Sequence, residues 1–120
     1  MQESGETYLE TILLLKRKNG QVRSIDVARE LDYTKPSISR AMGILKEDGF
    51  IVIDQGGYIE LTDKGEKKAQ SIYERHRVLR EFLVKTTGVD PKIADQDACR
   101  IEHIISIQTF DHIKKYLEEH

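Results

Sequence analysis

The chain has 120 residues, of which 33% are charged and 38% are hydrophobic, and its formal net charge is −2. This length excludes a β/α barrel or a doubly wound nucleotide-binding fold, and the composition is typical of a small, helix-rich protein. A single cysteine, Cys99, excludes an intramolecular disulfide and favours a reducing cytoplasm. The polar, acidic start of the chain and its short apolar runs predict neither a signal peptide nor a membrane span.

The first part of the chain predicts three helices in succession. Apolar residues at helical spacing predict helices over 6–18 and 25–31 and a third from 35 to about 47, with Ser24 as the cap of the second. A tight turn over 32–34 joins the second helix to the third. This arrangement indicates a helix-turn-helix.

A β-hairpin is predicted directly after the third helix. The apolar runs 50–53 and 58–61 flank the pair Gly56-Gly57, which predicts a two-residue turn. Three helices followed by a hairpin is the order of a winged helix-turn-helix, and a generic helical bundle with a hairpin is the alternative. We therefore expect a mainly α fold with a small β-hairpin wing.

Basic residues are concentrated around the predicted recognition helix. Eight basic and only three acidic residues lie between Lys16 and Lys46, although the whole chain is mildly acidic. This is the distribution that phosphate binding requires, although an ordinary solvated face would look similar. Arg40 is long enough to contact guanine, whereas Lys35 is suited to neutralising phosphate. The predicted contacts to double-stranded DNA are Thr34, Lys35, Pro36, Ser37, Ser39 and Arg40.

The second part of the chain predicts helices only. Thr62 is expected to cap a long helix over about 64–87, which links a DNA-binding domain of residues 1–63 to a helical domain of residues 64–120. Asp90 and Pro91 begin a further helix, predicted to reach Ile105, and Ser106 begins the last. We expect a homodimer surface from apolar residues of the last two helices: Ile104, Ile107, Phe110 and Ile113.

Metal-ligating residue types share one stripe of the predicted fifth helix. Asp95, Cys99, Glu102 and His103 fall at i, i+4, i+7 and i+8. Carboxylate, thiolate and imidazole groups so close together predict a divalent transition-metal site, and His76 lies on the apolar side of the long helix. The alternative is a Glu–His surface pair beside a structural cysteine, with His76 in the core. The ligand mix leaves Fe²⁺, Mn²⁺, Zn²⁺, Co²⁺ and Ni²⁺ open.

Several segments together resemble the diphtheria toxin repressor family of metal-dependent bacterial regulators. These segments are Tyr8-Leu9-Glu10-Thr11-Ile12, Lys35-Pro36-Ser37-Ile38-Ser39, Leu61-Thr62-Asp63-Lys64-Gly65, Tyr73-Glu74-Arg75-His76-Arg77 and Asp97-Ala98-Cys99-Arg100-Ile101-Glu102-His103. The resemblance covers nearly the whole chain and implies a winged helix domain followed by a helical metal-binding and dimerisation domain. The chain is similar to the short, two-domain branch that includes the manganese transport regulators.

The resemblance also implies a ligand set. Cys99, Glu102 and His103 match the primary-site ligands, His76 matches an ancillary-site histidine, and Glu10 matches a carboxylate ligand of the manganese-responsive branch. Three positions depart from the family patterns: Thr7, Arg80 and Asp95. Arg80 and Asp95 stand where the iron-responsive branch has further ancillary ligands, so a second metal site is in doubt.

We therefore expect a metal-dependent transcriptional regulator, a repressor that senses Fe²⁺ or Mn²⁺ and binds palindromic operator DNA in the cytoplasm. The alternative is a winged-helix regulator that senses a small organic ligand. An enzyme is disfavoured because the sequence contains no nucleophile elbow, phosphate-binding loop or His-Glu-x-x-His motif.

Overall fold

The computed structural model describes residues 3–120, which form six helices and two strands. In chain order these are α1 (Glu3–Asn19), α2 (Ser24–Leu31), α3 (Lys35–Glu47), β1 (Ile51–Ile53), β2 (Ile59–Leu61), α4 (Asp63–Thr87), α5 (Pro91–Ile101) and α6 (Ile107–Glu119). The predicted fold class, mainly helical with a hairpin wing, is confirmed.

The chain forms two compact units, Met1–Gln70 and Ser71–His120. The division falls inside α4, the helix predicted to link the two domains. Each unit is described by itself below.

The first unit is a helix-turn-helix with a wing. Asp32 adopts a left-handed conformation (φ 57°) after α2, which turns the chain into α3 within three residues. The apolar faces of its helices and strands are buried together, among them Leu9, Ile12, Val22, Val27, Ile38, Met42, Leu45, Ile51 and Ile59. This burial fixes the outward direction of the opposite face of α3.

The start of α2 differs from the prediction. Ser24 is the first helical residue and Arg23 is the N-cap. The Asp26 carboxylate accepts a hydrogen bond of 2.9 Å from the backbone N–H of Arg23. The Asp26 carboxylate, at the third position of the helix, thus caps the helix, whereas the sequence predicted that the Ser24 hydroxyl would do so.

The hairpin turn also differs from the prediction. Strand β1 pairs antiparallel with β2, with Ile53 opposite Ile59, and the backbone of Asp54 also bonds to that of Tyr58. The turn therefore holds three residues, 55–57, and only Gly57 has a positive φ, of 82°. The paired glycines predict a two-residue turn, whereas the chain forms a β-turn followed by a left-handed residue. A further bridge joins Arg23 to Tyr58, so the chain before α2 pairs with the wing.

The second unit is helical. Leu79 of α4, Ala98 of α5 and Phe110 of α6 form its core. Phe110 is only 7% exposed, so its predicted place on the dimer surface is wrong. Helix α5 ends at Ile101 rather than Ile105, because the following residues form tighter bonds, such as Ile104 N–H to the Ile101 carbonyl at 3.0 Å.

Candidate metal centre and nucleic-acid interface

Four of the predicted metal ligands lie in the second unit. His76 is on α4, Cys99 is on α5, and Glu102 and His103 follow at the end of α5. One ligand atom from each of His76, Cys99 and Glu102 lies within 4.8 Å of the others. The local fold thus brings imidazole, thiol and carboxylate groups from two helices to one point.

Glu102 is the most unusual of these residues because its side chain is fully buried. Its Oε2 lies 2.9 Å from His76 Nδ1, and its Oε1 lies 3.3 Å from His103 Nε2. Among the described residues, Oε1 nevertheless has no aligned hydrogen-bond partner. A buried carboxylate oxygen without an aligned hydrogen bond is costly, and a divalent cation at this position would offset that cost. The residues present therefore fit a metal ion.

His76 is held from both sides of its ring. Its Nδ1 faces Glu102, and its Nε2 lies 2.7 Å from Asp95 Oδ1. Hydrogen bonds to Cys99 and Glu102, together with a smaller contribution from Asp95, outweigh the desolvation of the ring and raise the pKa of His76 to about 11. The ring is therefore a positively charged imidazolium at neutral pH, and a metal ion bound at one of its nitrogens would have to replace a proton there.

The cluster differs in burial from a uniform polar stripe, and a further residue supports it. Cys99 is exposed, whereas Glu102 is buried. Arg75, which the sequence analysis did not single out, donates a hydrogen bond of 3.2 Å to the Glu102 carbonyl and lies over the Phe110 ring. The only sign of this role in the sequence was that Arg75 lies next to His76, because the Glu102 carbonyl that Arg75 contacts is 27 residues away.

Glu10, the fifth predicted ligand, lies on α1 in the first unit. This residue is only 8% exposed. The ligand role of Glu10 stays a prediction that is based on the resemblance.

All six predicted DNA-contacting residues are exposed around the start of α3: Thr34, Lys35, Pro36, Ser37, Ser39 and Arg40. Thr34 is the N-cap, and its Oγ1 accepts a hydrogen bond of 3.3 Å from the Ser37 N–H. The Thr34 hydroxyl also donates to Ser37 Oγ at 2.9 Å. Thr34 thus organises the helix start that presents the other side chains. Beside them lies a cavity of about 500 Å³ lined by Tyr8, Ser37, Arg40 and Ile44, among others.

The wing is ordered by its own acidic residue. Asp54 Oδ1 accepts hydrogen bonds from the N–H groups of Gly56 (2.8 Å) and Tyr58 (2.9 Å). The Arg23 guanidinium stacks over the Tyr58 ring at 4.3 Å from its centroid. The Asp54 carboxylate, which a DNA phosphate would repel, is therefore held by hydrogen bonds within the turn.

Two family models match the chain. The first, an iron-dependent repressor N-terminal DNA-binding domain, matches residues 1–57. The second, an iron-dependent repressor metal-binding and dimerisation domain, matches residues 62–120. The chain belongs to the diphtheria toxin repressor family of metal-dependent transcriptional regulators.

Individual members of this family align along nearly the whole chain. The transcriptional regulator MntR of Escherichia coli is 34% identical over 119 residues, which cover 99% of this chain and 76% of MntR. An HTH-type transcriptional regulator of Methanocaldococcus jannaschii is 30% identical over 120 residues, covering 99% of this chain and 96% of that protein. The similarity thus includes both the predicted DNA-binding and metal-binding parts.

Solved structures of the family share the fold. The metal-dependent transcriptional regulator MtsR superposes with a TM-score of 0.87 at 26% identity over 95% of this chain. The chain spans about half (53%) of the length of the MtsR structure. Within the described residues 3–120, no helix is long and apolar enough to cross a membrane.

Two of the three positions that depart from the family patterns, Arg80 and Asp95, contact each other in this member. Arg80 Nε lies 3.7 Å from Asp95 Oδ1, the same oxygen that contacts His76. An ion pair thus stands where the iron-responsive branch, according to the resemblance, has ancillary ligands.

Proposed function

We propose that this regulator represses transcription when Fe²⁺ or Mn²⁺ binds to the side chains of His76, Cys99, Glu102 and His103. The observation that carries the proposal is the fully buried Glu102 carboxylate, whose Oε1 has no hydrogen-bond partner among the described residues while two imidazoles and a thiol surround it. Family membership supports it, since the matching model describes a metal-binding and dimerisation domain.

The ligand chemistry suits a late or middle first-row divalent ion. Carboxylate and imidazole groups accept Mn²⁺ and Fe²⁺, and a thiolate increases the affinity for Fe²⁺, Co²⁺, Ni²⁺ and Zn²⁺. We expect zinc, cobalt and nickel to bind in vitro as well. In the cell, geometry and metal availability decide which ion is sensed.

The DNA-binding part of the proposal assigns a role to the start of α3. Arg40 reads base edges in the major groove, while Lys35, Ser37 and Ser39 contact phosphates or bases, and Thr34 and Pro36 shape the helix start. As a homodimer, the protein presents two such helices to a palindrome with half-sites roughly 34 Å apart. A regulator that binds chromosomal DNA acts in the cytoplasm.

The test is operator affinity with and without metal. A palindromic DNA is first selected from a random pool with the metal-loaded protein, and binding is then measured by fluorescence anisotropy in Mn²⁺, in Fe²⁺ under anaerobic conditions, and in chelator. Coupling of about 1–3 kcal/mol corresponds to an affinity gain of roughly 5- to 150-fold.

Cys99→Ala should remove most of this gain, whereas Gln96→Ala, on the exposed face of the same helix, should retain it. Equal affinity of the metal-free and metal-loaded wild type would contradict the proposal. It would favour the alternative regulator that senses a small organic ligand.

A further inference from the structure

The imidazole of His76 lies between two carboxylates that approach different ring nitrogens. Glu102 Oε2 is 2.9 Å from Nδ1, and Asp95 Oδ1 is 2.7 Å from Nε2. Glu102 is fully buried, whereas the Asp95 side chain is 55% exposed. The two contacts therefore differ in kind: one is made inside the cluster and the other at its rim.

The two nitrogens of an imidazole point in different directions, so an ion bound by Glu102 can be reached by only one of them. The 2.9 Å contact places Nδ1 on the Glu102 side. Asp95 lies on the other side of the ring, where its Oδ1 is 2.7 Å from Nε2. Asp95 is thus placed to hold the ring and not to bind the ion.

We propose that Asp95 is a positioning residue that holds His76 so that Nδ1 binds the metal while Nε2 keeps its proton and donates a hydrogen bond to Asp95 Oδ1. Carboxylates that accept the second N–H of a metal-bound histidine commonly fix its tautomer and ring orientation. This inference rests on the proposed metal-binding function.

Arg80 strengthens this arrangement. Its Nε lies 3.7 Å from the same Oδ1 atom of Asp95. The positive guanidinium attracts the carboxylate and favours the rotamer that faces α4, so the acceptor is in place before a metal ion binds. Arg80 and Asp95, which depart from the family's ancillary-ligand pattern, thus have a common role toward His76.

The test uses Zn²⁺, which is diamagnetic, and the full chain labelled with ¹⁵N-histidine. Zinc affinity is measured by competition with a chelator, and ¹⁵N chemical shifts of the imidazoles show which nitrogen of His76 binds the ion. Asp95→Ala is compared with Asp95→Asn, which retains an acceptor oxygen, and with Asp97→Ala, which removes an exposed carboxylate from the same helix.

We expect Asp95→Ala to lose about 10- to 100-fold in zinc affinity and His76 to shift wholly or partly to Nε2 coordination. Asp95→Asn should retain Nδ1 coordination with a smaller loss, and Asp97→Ala should match the wild type in both measurements. Nδ1 coordination that persists in Asp95→Ala would overturn the inference, as would an equal loss of affinity in Asp97→Ala.

The wild type separates this inference from the function on which it rests. If wild-type protein binds no zinc through His76 and Cys99, the proposed function fails. If the wild type binds zinc through Nδ1 but Asp95→Ala does so equally well, only the role of Asp95 fails. Should Asp95→Ala not fold, Arg80→Ala decides: a shift of His76 toward Nε2 coordination supports the role, and Nδ1 coordination at wild-type affinity overturns it.

Discussion

The charge state of His76 links metal binding to pH. Hydrogen bonds to Cys99, Glu102 and Asp95 raise the pKa of His76 to about 11, so the ring is protonated at neutral pH in the metal-free protein. A metal ion bound through Nδ1 would have to replace the proton on that nitrogen, so we expect acid to oppose metal binding. We expect the apparent zinc affinity to increase by about tenfold for each pH unit between pH 7 and 9 from this residue alone, the amount that one released proton produces.

Chelator competition at several pH values measures this slope, and calorimetry in buffers of different ionisation enthalpy counts the released protons. In His76→Gln, the slope should fall by one proton per ion. An unchanged slope in that variant would show that the proton comes from elsewhere.

Arg40 and Lys35 should have different effects on DNA recognition. Both are exposed near the start of α3, but a guanidinium can form paired hydrogen bonds to guanine, whereas an ammonium acts as a point charge. We expect Arg40→Ala to weaken binding to the selected operator by about 1–3 kcal/mol while changing non-specific binding much less. Lys35→Ala should weaken both kinds of binding similarly. Anisotropy with the operator and with scrambled DNA checks this, and a larger loss of selectivity in Lys35→Ala would reverse the assignment.

At the scale of elements, the start of α4 is hydrogen-bonded to the segment between α3 and β1. Thr62 Oγ1 accepts a hydrogen bond of 3.1 Å from the Gly65 N–H and donates one of 2.6 Å to the Gly49 carbonyl. Gly65 is buried, and a Cβ at this position would lie 2.0 Å from the Phe50 carbonyl oxygen. Because that oxygen belongs to the backbone, it cannot move aside cheaply.

We expect Gly65→Ala to lower the free energy of unfolding by about 1–3 kcal/mol or more, as overpacking of a tight contact does. Gly43→Ala is the matched control, since Gly43 is exposed in α3 and a Cβ added there would meet no described atom of another element within 4 Å. That change should stabilise the protein by about 0.5–1 kcal/mol because alanine favours helix. Urea unfolding followed by circular dichroism measures both values, and equal stabilities of the two variants would contradict the packing argument.

At the scale of the whole molecule, the isoleucines after α5 are candidates for the dimer surface. Ile104 is 75% exposed and Ile107 is 61% exposed, whereas Phe110 is buried in the core of the second unit. Large apolar side chains at this exposure are favoured in interfaces, and the matching family model includes dimerisation. We propose that Ile104 and Ile107 lie in the homodimer interface.

The double variant Ile104→Lys/Ile107→Lys should raise the dimer dissociation constant by at least about tenfold, because it places two charges in a desolvated interface. Sedimentation equilibrium measures the constant. Val52→Lys is a suitable control, since Val52 is 52% exposed but lies on the wing. A double variant that dimerises as the wild type does would place the interface elsewhere.

The sequence predicted the order and type of the elements because their signals are local. Gly20 and Gly88 both have a positive φ directly after the helices that they end, Thr62 and Asp90 cap helices as expected, and the last helix begins after Ser106. The errors occur where the side chain of a neighbouring aspartate overrides the signal that was read. Asp26 caps α2 in place of Ser24, and the Asp54 side chain helps to make the hairpin turn longer than its glycines indicated.

For the metal centre, the sequence by itself determined which ligand types are available and that Cys99, Glu102 and His103 come close together on one helix and its end. Only the tertiary structure brought His76 of α4 to within hydrogen-bonding distance of Glu102, buried that carboxylate completely and placed Asp95 on the opposite ring nitrogen. Helical periodicity specifies the direction of a side chain relative to its own axis. Burial and hydrogen-bond partners depend on how two helices pack, which is set by side chains such as Leu79, Ala98 and Phe110 that are far apart in the sequence.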